Sequence, residues 1–304
     1  MTSPCRLSRA WYKIIQKKGS RRRRPMTGRS KSARTHEYEL GHSDRELKRL
    51  AAQAQLVDPF TREFFRDGGL APGMRVLDIG SGAGDTALLA ADIVEGAGEV
   101  VGIDRSALAV SAAHNRIKAL GRRNISFREG NPEALDSAEM FDAVVGRYVL
   151  MFSSDPVAML KSVARHVRPC GVIVFHEADW RGYRSTPPSL AYDKCCDWII
   201  RTFQKVGTNP FVGSDLYSAF MQAGIPAPTM ALRALIGGSS SSVSGADLVA
   251  DLAITMAPVM EELGVIAHGE IDPDAFKERL MAEVMRLGSI VVGRSEIGAW
   301  SRLA

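Results

Sequence analysis

The stretch VLDIGSGAGD, residues 76–85, decides the fold of this chain, because an apolar run passes directly into three closely spaced glycines. Glycine permits backbone conformations that other residues avoid, and it lets a ligand approach the main chain closely. The next residues, DTALLAADIV at 85–94, have helical character. The pattern predicts a β-strand, a glycine-rich turn at residues 80–84 and then a helix.

The same alternation of strand, loop and helix continues after this turn. Four further apolar runs predict strands: EVVGID (99–104), NISFREG (124–130), FDAVVGR (141–147) and GVIVFHE (171–177). Between the first two of these runs, SALAVSAAHNRIKAL at 106–120 predicts a helix. Alternation of this kind is typical of an α/β fold, a doubly wound and mostly parallel sheet with helices on both faces. Strands buried on both faces should be nearly continuous in Val, Ile and Leu, as these are.

The distribution of charge, apolar runs and glycines predicts four segments along the chain. They are a basic tail (1–35), N-terminal lid helices (36–70), a Rossmann-like core (71–180) and a helical substrate cap with the final sheet strands (181–304). In the lid, a capping-box pattern predicts a helix over 43–57 that Asp58-Pro59 breaks, with a second short helix ending at Gly68-Gly69. In the last segment we expect helices at 189–206, 214–224, 246–264 and 273–287, and strands at 228–237 and 296–304.

The positive charge is confined to the tail. The chain carries a formal net charge of +5, but residues 1–35 hold twelve Lys or Arg and no acid, so the remainder is acidic. An acidic body makes a broad nucleic-acid-binding face unlikely, since phosphate contacts need clustered bases. The tail itself could be a docking arm for nucleic acid or a membrane surface, a transit peptide, or a disordered extension upstream of an alternative start at Met26.

Other global features narrow the class of protein. No apolar run approaches the roughly 18 residues of a membrane-spanning helix. The four cysteines are Cys5, Cys170, Cys195 and Cys196, and they lack the CxxC spacing of a zinc site. No cluster of possible ligands predicts a metal site. The cysteine pattern is that of a reducing compartment, so we expect a cytoplasmic location. We further expect a monomer or homodimer.

Acidic residues indicate what the glycine turn binds. Dinucleotide enzymes place a third glycine where this chain has Asp85. A carboxylate there would repel a pyrophosphate but suits the cationic amino-acid end of S-adenosylmethionine (SAM), and Asp78 within the strand points the same way. Asp104, at the end of the second strand, can accept the hydroxyls of a ribose, which fits either SAM or NAD. Capping of a helix or turn is the simpler alternative for both strand-end acids.

These residues, with GNPE at 130–133 and FDAVVGRYVLMF at 141–152, resemble the class I SAM-dependent methyltransferases. Within that class the chain looks most like the small-molecule branch related to the ubiquinone and menaquinone C-methyltransferases. The resemblance covers residues 38–180 well and the rest loosely. It departs from the family at Asn131, where Asp is usual, and at Cys170, which stands within the usual Pro-Gly-Gly turn.

The resemblance implies a set of cofactor-binding residues. The glycine loop and Asp78 would surround the methionine moiety, Asp104 would hold the ribose, and Asn131 and Pro132 would flank the adenine. Tyr38 and the helix after it would act as a lid. The full set is Tyr38, Asp78, Gly80, Ser81, Gly82, Gly84, Asp85, Asp104, Arg105, Gly130, Asn131, Pro132, Gly146 and Arg147.

The chemistry of methyl transfer needs a base only if the acceptor must lose a proton. His176 is the best candidate for a general base, because its ordinary pKa lies near neutrality; a packed strand histidine with satisfied hydrogen bonds is an equally good interpretation. Arg147 could pair with an acidic substrate or with a neighbouring acid. We expect the substrate pocket to include Tyr148, Glu177, Trp180 and Tyr183.

Several functions remain open from the sequence. The first is SAM-dependent methyl transfer to an O, N or C atom of a small molecule by in-line displacement, giving S-adenosylhomocysteine. The alternatives are an RNA or protein methyltransferase that docks through the basic tail, a non-catalytic SAM-binding regulator, and an NAD-dependent oxidoreductase.

Overall fold

A computed structural model describes residues 53–54, 56–133, 135, 138–238 and 245–304 of the chain. Several predictions fall outside these ranges: the basic tail, Tyr38, nearly all of the helix over 43–57, and the Ser-rich stretch at 239–244. Among the residues described, no helix is long and apolar enough to span a membrane.

The first complete helix, α1, covers residues 56–67 and runs through Asp58-Pro59, so the prediction of a helix break at that dipeptide is wrong. Proline lacks a backbone N–H and disfavours helix before it. Here tertiary burial outweighs that local preference, since Phe64 and Phe65 of the same helix are completely buried. The helix ends, as predicted, at the turn through Gly68 and Gly69.

The remaining helices and strands follow the predicted alternation except at β6, which no pattern predicted, and at β8, which begins at Ile290 and not at residue 296. The strands are β1 (Arg75–Ile79), β2 (Glu99–Asp104), β3 (Ile125–Glu129), β4 (Phe141–Arg147), β5 (Val167–Asp179), β6 (Arg184–Thr186), β7 (Thr229–Gly237) and β8 (Ile290–Arg302). The helices after α1 are α2 (Asp85–Val94), α3 (Ala107–Ala119), α4 (Pro156–Ala164), α5 (Leu190–Lys205), α6 (Val212–Gln222), α7 (Gly245–Glu262) and α8 (Phe276–Leu287).

These strands form one mixed sheet with the order β3-β2-β1-β4-β5-β8-β6, in which β7 also pairs with β8. Every pair from β3 to β5 is parallel, and β8 runs antiparallel to β5. The chain reverses direction in the strand order at β1, so the carboxyl ends of β1 and β4 lie beside the crevice where ligands bind in open α/β sheets. The predicted doubly wound fold is confirmed.

The chain divides into two compact units. The sheet unit comprises residues 57–184, 208–236 and 292–304 and contains every strand pairing from β3 to β5. Its core is formed by apolar residues of β1 to β5 with α1 to α3. The other unit includes residues 185–207 and 245–291, where Glu283 accepts hydrogen bonds from the Ser189 hydroxyl and the Ala191 amide at the start of α5.

Candidate cofactor and acceptor site

The glycine turn between β1 and α2 is built for close approach of a ligand at one position. Gly80, Gly82 and Gly84 all have positive φ, at 65°, 52° and 89°. A Cβ atom at Gly80 would lie 2.8 Å from Val149, and one at Gly84 would lie 2.8 Å from Phe127. A Cβ atom at Gly82 would meet nothing within 4 Å, so the turn is open there.

Asp78 lies at the carboxyl end of β1 and is completely buried. Neither carboxylate oxygen has a hydrogen-bond partner among the described residues. Burial raises the pKa of Asp78 well above its ordinary value, Arg147 opposes that rise, and the negative charges of Asp104 and Asp85 add to it. A buried carboxylate without partners costs free energy, which indicates that a cationic or hydrogen-bonding ligand belongs beside it.

Asp104 and Asp85 both have protein partners. Asp104 accepts the backbone N–H of Gly82 at 2.8 Å and that of Ser106 at 2.8 Å, one with each oxygen. It therefore holds the glycine turn in place and keeps lone pairs for further donors. Asp85 forms an ion pair with Arg116 of α3 at 2.5 Å, which balances its charge. The argument against a pyrophosphate therefore depends more on Asp78 than on Asp85.

The residues predicted to flank an adenine come together at the ends of β2 and β3. Arg105 forms an ion pair with Glu133 at 2.7 Å and donates through Nε to the Asn131 side-chain oxygen at 2.9 Å. That oxygen also accepts the Glu133 amide. Pro132 is buried and Asn131 is exposed. The Asn131 carbonyl is thus shared with protein donors, and a cofactor amino group would have to bind beside them.

The predicted pocket residues at the end of β4 have different surroundings. Gly146 is buried, and a Cβ atom there would lie 2.6 Å from the Phe175 ring, so packing alone requires glycine. Arg147 donates to Asp58 at 2.6 Å and to the Thr61 hydroxyl at 3.0 Å. Of the two roles predicted for Arg147, the structure shows the ion pair with a neighbouring acid.

His176 is the centre of a buried hydrogen-bond network. Its Nε2 lies 3.0 Å from Glu296 and its Nδ1 lies 3.0 Å from the Thr61 hydroxyl. Because a carboxylate only accepts, Nε2 carries the proton and Nδ1 accepts from Thr61. Burial lowers the pKa of His176, although Glu296 raises it. Both ring nitrogens are occupied, which supports the packed strand histidine over a base that reaches an acceptor directly.

The other predicted pocket residues surround this network. The Tyr148 hydroxyl donates to Glu296 at 2.6 Å, and Tyr148 has a left-handed backbone with φ of 55°. Trp180 is almost fully buried, and Tyr183 is half-buried. Glu177 is completely buried, and one of its oxygens accepts the amides of Val149 and Leu150 at 2.8 and 2.7 Å. Glu177 therefore fixes the chain that follows Tyr148.

Burial raises the pKa of Glu177 to about 7, although the backbone N–H groups oppose the rise. A carboxyl with a raised folded pKa stabilises the fold below its unfolded pKa and loses that contribution as the pH rises towards the folded pKa. We expect Glu177→Gln to gain about 2 kcal/mol relative to the parent between pH 5 and pH 8. Urea unfolding across this range measures it, with exposed Glu278→Gln as control. A constant difference between Glu177→Gln and the parent would contradict the prediction.

Sequence reasoning missed four residues of this network: Asp58 and Thr61 of α1, and Arg294 and Glu296 of β8. Arg294 and Glu296 lie two positions apart in a strand, so they share a face. A pair of charged residues inside the otherwise apolar run VVGRSEIG was the available signal.

The residues present fit SAM. The open backbone at Gly82 gives room for a nucleoside and its substituent, and the unpartnered Asp78 carboxylate offers an anion to the ammonium and sulfonium groups. The buried Ser81 hydroxyl, which has no hydrogen-bond partner within the described ranges, lies in the same turn. A phosphate group would add negative charge beside Asp78 and does not fit.

Comparison with known proteins gives the same assignment. Residues 70–205 match the family model described as a methyltransferase domain. An arsenite methyltransferase of Aquipseudomonas alcaligenes is 37% identical over 116 residues, which are 36% of this chain and 34% of that protein. A ubiquinone biosynthesis O-methyltransferase of Paracidovorax citrulli is 35% identical over 111 residues, 35% of this chain and 45% of that protein. The chain thus spans less than half of the length of either curated relative.

Solved structures support the fold over a longer range. A putative methyltransferase from Bacillus halodurans superimposes with a TM-score of 0.55 at 16% identity, covering 80% of this chain and 97% of that one. This likeness concerns the fold alone. Together with the family match and the site around Asp78, it leads to one conclusion: residues 70–205 form a methyltransferase domain, which is similar in sequence to part of the ubiquinone and demethylmenaquinone methyltransferases.

Proposed function

We propose that this chain transfers the methyl group of SAM to an O, N or C atom of a small-molecule acceptor. One observation carries the proposal: a completely buried carboxylate, Asp78, has no hydrogen-bond partner among the described residues and lies at the end of the strand that leads into a glycine turn open at Gly82. SAM supplies an electrophilic methyl group on a cationic sulfur. The small-molecule branch is supported by the acidic charge of residues 36–304, which disfavours a nucleic-acid acceptor.

The residues of the chain would contribute by binding and alignment. Asp78 would attract the cationic methionine end, while Asp104 would accept the ribose hydroxyls with its remaining lone pairs. Correct alignment of the two reacting atoms is a large part of catalysis in such displacements. The loop after β4 is fixed for this purpose by Glu177 and by the hydrogen bond from Tyr148 to Glu296. His176 as a general base and the domain limits at residues 71–180 and 181–304 stay predictions.

Calorimetric titration with SAM, S-adenosylhomocysteine and NAD tests the proposal. We expect micromolar binding of the first two and none of NAD, and we expect Gly82→Ala to weaken SAM binding about tenfold or more, because its methyl group would enter the space left open at the turn. Gly121→Ala is the matched control, since Gly121 also has positive φ (65°) and open space around it. Binding of NAD without SAM would overturn the proposal.

A further inference from the structure

Arg294 of β8 has an unusual position for a charged side chain. It immediately precedes Ser295, which pairs with Asp179 at the carboxyl end of β5, so it lies at the carboxyl edge of the parallel strands. Its guanidinium carbon is 5.2 Å from the centre of the Tyr148 ring and 5.6 Å from that of Trp180. Only 12% of the side chain is exposed. The two rings hold the guanidinium group in one orientation.

Protein groups use only one edge of this guanidinium. Its Nη2 donates to the Tyr148 hydroxyl at 3.0 Å, and its Nε forms an ion pair with Glu296 Oε1 at 3.1 Å. Within the described part of the chain, Nη1 has no hydrogen-bond partner. An arginine presents a planar fork that binds carboxylates through two parallel hydrogen bonds. The edge formed by Nη1 and the second proton of Nη2 is therefore available to a carboxylate.

Glu296 does not satisfy Arg294 fully, because it is shared. The same carboxylate also accepts hydrogen bonds from His176 and Tyr148. Burial opposes ionisation, but Arg294 and these two donors hold the pKa of Glu296 below its ordinary value, so it stays charged. The buried ions balance in pairs, Arg294 with Glu296 and Arg147 with Asp58. Arg294 thus shares its counterion with two other donors and keeps hydrogen-bonding capacity for a second anionic group.

We propose that the methyl acceptor carries a carboxylate group and that Arg294 binds it. This inference rests on the proposed function. One free guanidinium edge offers two parallel donors, which match the two oxygens and the single negative charge of a carboxylate. Tyr148 and Glu296 are positioning residues that hold Arg294 in place.

The test uses matched probes that differ only in charge. The full chain saturated with S-adenosylhomocysteine is titrated with benzoate against benzamide, and with hexanoate against hexanamide. We expect at least one carboxylate to bind about tenfold or more tightly than its amide, as expected of a charged hydrogen-bonded pair. Equal binding within both pairs would overturn the proposal.

Variants of Arg294 test whether this residue causes the preference for a carboxylate over its amide. Arg294→Gln should abolish the difference between carboxylate and amide while the affinity for S-adenosylhomocysteine changes less than about threefold. Arg123→Gln, at an exposed arginine, should retain it. If Arg294→Gln does not fold, Arg294→Lys keeps the charge but loses the fork, and the preference should fall severalfold. A preference that survives in a folded Arg294 variant refutes the assignment.

The two proposals can fail separately. If S-adenosylhomocysteine does not bind, the proposed function fails, and the same probes are titrated into the protein alone. A carboxylate preference that depends on Arg294 then still supports the anion site. If the protein alone shows no carboxylate preference that depends on Arg294, the inference about Arg294 is rejected as well.

Discussion

Gly298→Ala is expected to destabilise the protein by about 2–3 kcal/mol, which corresponds to a fall in melting temperature of about 3–5 °C. Gly298 lies in β8 opposite His176, and the Phe64 ring of α1 packs directly on its Cα. An added Cβ would lie 2.4–2.8 Å from three carbons of that ring. Phe64 is completely buried and stands 4.9 Å from the His176 ring, so it has no free space to move into.

The Gly298→Ala substitution should also disturb the functional site, because α1 carries Asp58 and Thr61. If Phe64 moves away from the sheet, these two residues move with it, and Arg147 loses its partners. Thermal and urea unfolding measure the effect. Gly293→Ala in the same strand is the control, since its nearest neighbour, the Leu235 carbonyl oxygen, would be 3.6 Å from the new Cβ. Similar losses for both variants would show that strand glycines matter in general and that the Phe64 contact does not.

Local sequence patterns were sufficient for the part of the fold that binds the cofactor. In VLDIGSGAGD the strand, turn and helix follow one another within twenty residues, so apolar content and glycine spacing determine them. The alternation through residue 177 likewise predicted the parallel strands and their helices. Asp58-Pro59 shows the limit of such reasoning, because packing of Phe64 and Phe65 decided that segment and no local pattern records packing.

The acceptor side of the site depends on contacts between residues that are far apart in the chain. His176 and Glu296 are 120 residues apart, and His176 and Thr61 are 115 apart. The single sequence identified His176 and Tyr148 as chemically interesting but could not supply their partners. Of the two interpretations that the sequence left open for His176, the structure favours the packed strand histidine, because both ring nitrogens are bonded. The position of Arg294 at the site follows from the antiparallel pairing of β8 with β5.

Asp78→Asn is expected to separate stability from binding. The variant should be about 1–3 kcal/mol more stable than the parent without ligand, because a buried carboxylate that lacks hydrogen bonds is replaced by a neutral amide. It should bind SAM about 100-fold more weakly, since the anion that faces the cationic cofactor is lost. Unfolding and calorimetry measure the two effects. A carboxylate that merely caps a turn would produce the opposite pattern, with lower stability and unchanged affinity.

The pH dependence of SAM binding is a second test of the role of Asp78. Burial raises the pKa of Asp78 in the free protein, so its contribution to stability is present below its unfolded pKa and is lost as the pH rises through the folded one. A bound cation would lower that pKa again, and binding should therefore release a proton. We expect SAM affinity to increase with pH until Asp78 is ionised in the free protein, and the binding heat to depend on the ionisation enthalpy of the buffer. In Asp78→Asn both dependences should disappear; if they persist, another group releases the proton and Asp78 does not face the cofactor.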